Sequence, residues 1–264
     1  ALHDVAAQHA GQPLYQFLGG EKAKTLYTDM TVSIGSPEKM QADAVRFQQQ
    51  GFTVIKVKLG ESLELDVARI KAIRDAVGMQ IPIRVDANQG WGNADNAVQI
   101  LHALAPYNIQ HAEEPIARWK FMDLPKIAEV SPIPIMADES CCEPHDAERL
   151  IALNACHMIN IKMGKAGGLF KAMQIVELAA KASLPMQIGG FMESRLGMTA
   201  GAHLALTNDY ILHCDFDTPL MFTEDPVIGG IAYEDQYSIA VPDAPGLGAV
   251  IDESYLRKAE KAVF

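Results

Sequence analysis

Apolar residues recur along this 264-residue chain in two alternating rhythms. Short β-branched or apolar runs lie at 29–34 (DMTVSI), 52–58 (FTVIKVK), 81–86 (IPIRVD), 108–113 (NIQHAE), 133–138 (IPIMAD), 157–162 (HMINIK), 184–189 (LPMQIG) and 210–217 (YILHCDFD). Between them, amphipathic helical patterns cover 37–50, 62–77, 93–104, 120–130, 144–154, 168–182 and 194–207. Eight strands separated by seven helices predict a parallel sheet. Ser36-Pro37-Glu38 and Glu143-Pro144 are helix-start signals. A further helix, residues 1–18, precedes the first strand and should end at Gly19-Gly20.

Charged residues repeat with the strands. Lys58, Asp86, Glu113, Asp138, Lys162 and Asp215 fall at strand ends, with successive spacings of 28, 27, 25, 24 and then 53 residues. One strand-helix unit takes about the smaller length, and 53 is about two units. Eight such units suit a closed barrel, in which strand C-terminal ends converge on one mouth and active sites lie there. An open sheet would spread the same six residues along an edge.

Composition narrows the partners. The net charge of −11 argues against nucleic acid or an anionic membrane surface. The four cysteines (141, 142, 156, 214) form no CxxC pair, so neither a disulfide scaffold nor a zinc site is expected, and a reducing cytoplasm is the simplest location. A small-molecule substrate remains the expected partner.

The run VIKVKLG (54–60) places Lys56 and Lys58 on one face of an otherwise apolar strand, a costly burial without partners. Asp86, Glu113 and Asp138 end the next three strands and would repel one another without a counter-ion. Hard oxygen ligands from three neighbouring strands suit Mg²⁺. Lys58 lies one strand before this trio and Lys162 one strand after it. The order Lys, Asp, Glu, Asp, Lys sets two amines on opposite sides of a metal, where one can remove an α-proton and the other return a proton to the opposite face. Crowding with cations and partial desolvation are expected to lower the lysine pKa values. Lys165 competes with Lys162 for this role; Lys162 is favoured because it is in phase with Asn160. Glu113 is likewise favoured over Glu114, which reads as the start of a loop. Asp215 and Asp217 share a strand face and suit an α-ammonium group, although Asp217 also fits an N-cap. His111 should be a packed, hydrogen-bonded interior residue, and Trp91 either walls the site or packs.

The motifs KVK (56–58), RVDANQGW (84–91), EEP (113–115), ADES (137–140) and NIKMGKAGG (160–168) resemble the enolase superfamily, specifically its muconate-lactonising subgroup. Lysine bases working with Mg²⁺ are general to that superfamily. The resemblance implies a TIM-like modified (β/α)7β barrel. It implies Asp86, Glu113 and Asp138 as Mg²⁺ ligands, Lys58 and Lys162 as paired acid/base catalysts, and Lys56 at the substrate carboxylate. DFDTPLM (215–221) resembles the dipeptide epimerases of that subgroup, in which Thr31 and backbone groups at Gly190 and Met192 also contact the dipeptide. The implied reaction is epimerisation at the Cα of the C-terminal residue through an enolate, for Ala-Ala, hydrophobic or L-Ala-D/L-Glu dipeptides, the last linked to peptidoglycan peptides. An N-acylamino-acid racemase and a non-catalytic ligand-binding barrel are the competing expectations. The family carries an N-terminal α+β capping domain, which is expected to be absent from this sequence. Residues 1–226 then form the barrel and 227–264 the segment that completes the cap. Barrel enzymes of this kind are expected to form homo-oligomers.

Overall fold

The computed structural model describes residues 1–258. Eight parallel strands follow one another in sheet order: β1 (Met30–Val32), β2 (Ile55–Lys58), β3 (Ile83–Asp86), β4 (Ile109–Glu113), β5 (Ile135–Ala137), β6 (Met158–Lys162), β7 (Met186–Gly189) and β8 (Ile211–Cys214). Seven helices connect them: α1 (Pro37–Gln50), α2 (Leu63–Val77), α3 (Ala94–Leu104), α4 (Leu124–Val130), α5 (Pro144–Ala152), α6 (Leu169–Lys181) and α7 (Arg195–Ala205). The sheet curls until its ends meet. The seam between β8 and β1 is a parallel bridge, Thr28 to Cys214, reinforced where the Phe216 amide donates to Thr28 Oγ1 at 2.8 Å. Sequence and structure agree on the TIM-like (β/α)7β barrel.

Local chemistry accounts for the element ends. Ser36, Ser62 and Asn93 accept hydrogen bonds from the third residue after them, satisfying one free N–H at the start of α1, α2 and α3. Glu143 and Asp146 form a reciprocal capping box at α5. The predicted helix over residues 1–18 is instead two pieces, Leu2–His9 and Leu14–Phe17. Gly11 adopts φ +67 and Pro13 cannot donate an N–H, so the helix stops between them. The 120–130 prediction is a 3₁₀ turn over Arg118–Asp123 that runs into α4.

Alternation in the strands creates two interiors. Ile55, Val57, Ile83, Val85, Ala112, Ile135, Ile159, Ile161 and Ile188 are buried under the helices. Their neighbours of opposite phase line the barrel and are polar: Lys56, Arg84, His111, Asn160 and Gln187, all buried. Residues 227–251 fold back on the barrel. Ser238–Ala240 pairs with both Leu26–Tyr27 and Ala232–Tyr233, Val227–Gly229 pairs with Ala249–Ile251, and the Tyr233 hydroxyl donates to the Phe216 carbonyl at 2.6 Å. No helix among the described residues is long and apolar enough to cross a membrane.

Candidate active site

Strand register assembles the charged ring. Lys58 pairs with Asp86 across β2 and β3, and Asp86 with Glu113 across β3 and β4. Asp138 follows β5 directly, and Lys162 ends β6. All three carboxylates are buried. Lys58 Nζ donates to Asp86 Oδ2 at 2.6 Å and to Asn88 Oδ1 at 2.9 Å. Lys162 Nζ lies 2.7 Å from Asp138 Oδ2 and 5.0 Å from the centre of the Phe191 ring. The two lysines thus flank the trio, each at a different carboxylate.

Lys56 answers the cost of its own burial with three anions. Its Nζ is 2.8 Å from Glu113 Oε2, 2.8 Å from Asp215 Oδ2 and 3.3 Å from Asp86 Oδ2. Burial pulls the ammonium down, but these charges outweigh it and hold its pKa well above the usual lysine value. The same contest raises Lys162: burial lowers it, while Asp138 and Glu113 raise it more. For Lys56 and Lys162 the expected lowering is therefore reversed, because their nearest charges are carboxylates rather than cations.

Lys165 has a different job from Lys162. Its ammonium donates to Asp138 Oδ1 at 2.6 Å and to the Asn160 carbonyl at 2.8 Å. Glu114, at φ +37, points away from Glu113 and accepts from the Asp138 and Ser140 amides, so it builds the loop after β5. Trp91 packs: it is fully buried and donates Nε1–H to Asp66 Oδ2 at 2.9 Å. His111 is packed at 5.6 Å from the His213 ring, but neither ring nitrogen has a hydrogen-bond partner among the described residues. The expectation of a hydrogen-bonded histidine fails because Arg84, the strongest nearby donor, is already committed. It donates to Asp29 Oδ2 at 2.7 Å and Gln110 Oε1 at 2.8 Å, and contacts His213 Nδ1 at 2.9 Å.

Asp215 and Asp217 lie just past β8 rather than on it, since that strand ends at Cys214. Asp217 precedes a 3₁₀ turn over Thr218–Met221, yet its side chain caps nothing there. Asp217 Oδ2 instead accepts the Thr31 amide across the seam at 2.8 Å. Carboxylate oxygens of Asp29, Asp215 and Asp217 lie within 4.8 Å of one another, a buried cup of three acids. Burial raises Asp217 to about 7, helped by the charge of Asp215. Burial raises Asp29 to about 8, with Asp215 adding and Arg84 opposing. Asp215 is held low despite burial by Lys56. Gly190 lies just after β7, and the exposed Met192 stands out at the rim.

Two features test whether the ring suits a hard divalent cation. Glu113 Oε2 and Asp138 Oδ2 are buried and have no partner among the described residues other than the ammonium each faces, Lys56 at 2.8 Å and Lys162 at 2.7 Å. Burial and the Asp86 charge raise Glu113 to about 8 even with Lys56 beside it, while Lys165 and Lys162 hold Asp138 low against its burial, so the shortfall of positive charge lies at Glu113. An all-oxygen set short of cations fits Mg²⁺. Sequence reasoning missed Asp29, Asn88 and Asp66 as site-building residues, and took Lys165 only as a rival base and Asn160 only as a marker of phase. For Asp29 a signal existed, its phase with Thr31 in DMT.

The enolase C-terminal domain-like family matches residues 39–255. The chain belongs to that family. It is 55% identical over 261 residues to the D-Ala-D/L-Ala epimerase of Cytophaga hutchinsonii, covering 99% of this chain and 71% of that protein. It is 40% identical over 264 residues to the L-Ala-D/L-Glu epimerase of Bacillus subtilis, covering 99% and 71%. A Cytophaga hutchinsonii dipeptide epimerase, solved in complex with Mg and the dipeptide D-Ala-L-Val, superposes with a TM-score of 0.97 at 55% identity, over 98% of this chain and 70% of that one. The N-succinyl Arg/Lys racemase of Bacillus cereus superposes with a TM-score of 0.93 at 32% identity, over 98% and 69%.

Proposed function

We propose that this enolase-family chain is a Mg²⁺-dependent dipeptide epimerase that inverts the Cα of the residue carrying the free carboxylate. The observation that carries the reading is the pair Lys58 and Lys162 on opposite flanks of the three buried carboxylates, with the acidic cup at the seam beside them. The epimerases named above support the substrate class.

Asp86, Glu113 and Asp138 would hold the cation. When bound, Mg²⁺ supplies Lewis-acid stabilisation of negative charge on the substrate carboxylate. Every other task falls to side chains. Lys56, fixed by three anions, presents a permanent positive charge beside that carboxylate. Lys58 and Lys162 act as base and acid on opposite faces of the Cα, exchanging roles with the direction of reaction. Asp215 and Asp217 receive the α-ammonium of the dipeptide. Thr31 positions Asp217, and the backbone at Gly190 and Met192 lines the substrate. We further propose that residues 1–226 are the catalytic unit and that 227–264 complete a capping domain that closes the mouth. A reducing cytoplasm suits the four free cysteines. Peptides from peptidoglycan turnover would supply substrate, and the homo-oligomeric state belongs to the same reading.

The test is mass spectrometry of a dipeptide library incubated with Mg²⁺ in D₂O, using the protein with its capping domain in place. A gain of about one dalton on particular dipeptides, lost in Lys58→Ala and Lys162→Ala, supports the reading. No gain on any dipeptide from folded, metal-loaded protein overturns it, and exchange on N-acylamino acids alone selects the racemase instead. That second reading has one structural point in its favour: Asp215 is already neutralised by Lys56 and needs no ammonium. Exchange on nothing leaves a binding barrel.

A further inference from the structure

The three metal-site carboxylates share one arrangement. Each has one oxygen tied to a donor from this chain and one turned toward an ammonium. Asp86 Oδ1 accepts the Asn88 amide at 2.9 Å and Oδ2 faces Lys58. Asp138 Oδ1 takes Lys165, and Oδ2 faces Lys162. Glu113 Oε1 accepts Asn160 Nδ2 at 2.7 Å, and Oε2 faces Lys56. Asn160 occupies a special place among these donors. Its side chain holds Glu113, while its backbone carbonyl accepts Lys165, which holds Asp138. A continuous link therefore runs Glu113, Asn160, Lys165, Asp138, joining β4 to the loop after β5 through β6.

We propose that Asn160 is a positioning residue for the cation site, which presets Glu113 and Asp138 as one unit with a single oxygen of each left for the metal. The inference rests on the metal-site reading above. An amide is the group this position requires. Its N–H donates to the carboxylate without adding charge, whereas Asp would place a fourth anion beside Glu113. The alternative amide orientation would set a carbonyl against a carboxylate and is repulsive. Asn160 is fully buried, and its Oδ1 has no donor among the described residues, so the carboxamide leaves half its bonding capacity unused to serve Glu113.

A second residue is committed to the same group. On β7, beside Lys162, a Cβ at Gly189 would lie 2.7 Å from Asn160 Oδ1 and 3.0 Å from Nδ2. Glycine is needed here for space, so that the carboxamide can lie against the strand and reach Glu113.

The experiment titrates Mg²⁺ into the full chain by calorimetry, for wild type, Asn160→Ala and Gly189→Ala, with melting temperatures in EDTA alongside. Removing an outer partner of a metal ligand typically weakens metal affinity about 10- to 100-fold. Both variants should show a Kd for Mg²⁺ raised by at least about tenfold, and turnover of Asn160→Ala should recover as Mg²⁺ is raised toward saturation. A Kd within about twofold of wild type in either folded variant, whatever its melting temperature, overturns the proposal, as does loss of folding in both. Wild-type protein that binds no Mg²⁺, or binds it equally well as Asp138→Asn, brings down the metal-site reading itself. Binding in wild type with unchanged variants brings down only the role of Asn160.

Discussion

Asp217→Asn should make this protein more stable and less active, and the two effects should separate by pH and by substrate. The native carboxyl is buried, and its pKa stands at about 7 against an ordinary 3.8. At 1.36 kcal/mol per tenfold, ionising it in the fold costs up to roughly 4 kcal/mol, and solvent relaxation leaves roughly 2 to 4. The sign follows from the raised value. The carboxyl's stability contribution is fully present below about pH 3.8 and is lost as pH rises through about 7. Asparagine keeps an oxygen for the Thr31 amide and never ionises. Its advantage should be absent near pH 4 and complete above pH 7, worth roughly 5 to 10 °C in melting temperature for a domain of this size. Function should move the other way. Losing one buried carboxylate opposite an ammonium costs about 2 to 4 kcal/mol, or roughly 30- to 1000-fold in kcat/KM on free dipeptides. The same dipeptides with an acetylated amino group should be hardly affected. Melting curves from pH 4 to 9 and paired kinetics on free and acetylated substrates provide the check. A variant that is destabilised at pH 8, or one that loses equally on both substrates, would refute the reasoning.

Three further outcomes follow from the geometry. Lys58→Met and Lys162→Met should each reduce epimerisation by more than about 10²-fold, yet each should retain α-proton exchange in D₂O on one epimer only, as read by NMR of separate stereoisomers. Exchange lost on both epimers in both variants counts against opposed bases. Trp91→Phe loses the indole bond to the buried Asp66 carboxylate, which should cost about 1.5 to 3 kcal/mol in urea unfolding with Kd for Mg²⁺ unchanged. Gly60→Ala should destabilise by about 2 to 4 kcal/mol, because Gly60 sits at φ +115 and a Cβ would stand 2.3 Å from the Ala87 carbonyl; denaturant melts showing less than about 1 kcal/mol would contradict that packing.

Periodicity made the barrel legible. Strand alternation set the phase of Lys56, Lys58, Asn160 and Lys162, and a near-constant unit length brought Lys58, Asp86, Glu113, Asp138 and Lys162 to one mouth. The same phase argument favours Lys162 over Lys165; both ammonium groups reach Asp138, Lys162 at Oδ2 and Lys165 at Oδ1. What escaped was whatever depends on long-range partners. The protonation balance of Lys162 reversed because its nearest charges come from strands 24 and 49 residues earlier in the chain. Among the described residues His111 is left without a hydrogen-bond partner because Arg84 is spent on Asp29, which lies just before β1. Asp217, read first as a ligand group, also fits a cap in sequence; its oxygen instead accepts from Thr31, at the other end of the barrel. The break at Gly11 and Pro13 was written in the sequence, but a continuous apolar pattern concealed it.

The seam between β8 and β1 has a consequence for how this catalyst can change. The proposed ring of lysines and carboxylates is built from consecutive units in the middle of the barrel, whereas the acidic cup draws on Asp29 from one end and Asp215 and Asp217 from the other. Chemistry and recognition thus come from different stretches of chain, which meet at the ion pair of Lys56 with Asp215. Substitutions in the two terminal units should exchange one substrate group for another most freely where they spare Asp215, which also anchors Lys56 inside the ring, so new specificities lie on either side of a single joint.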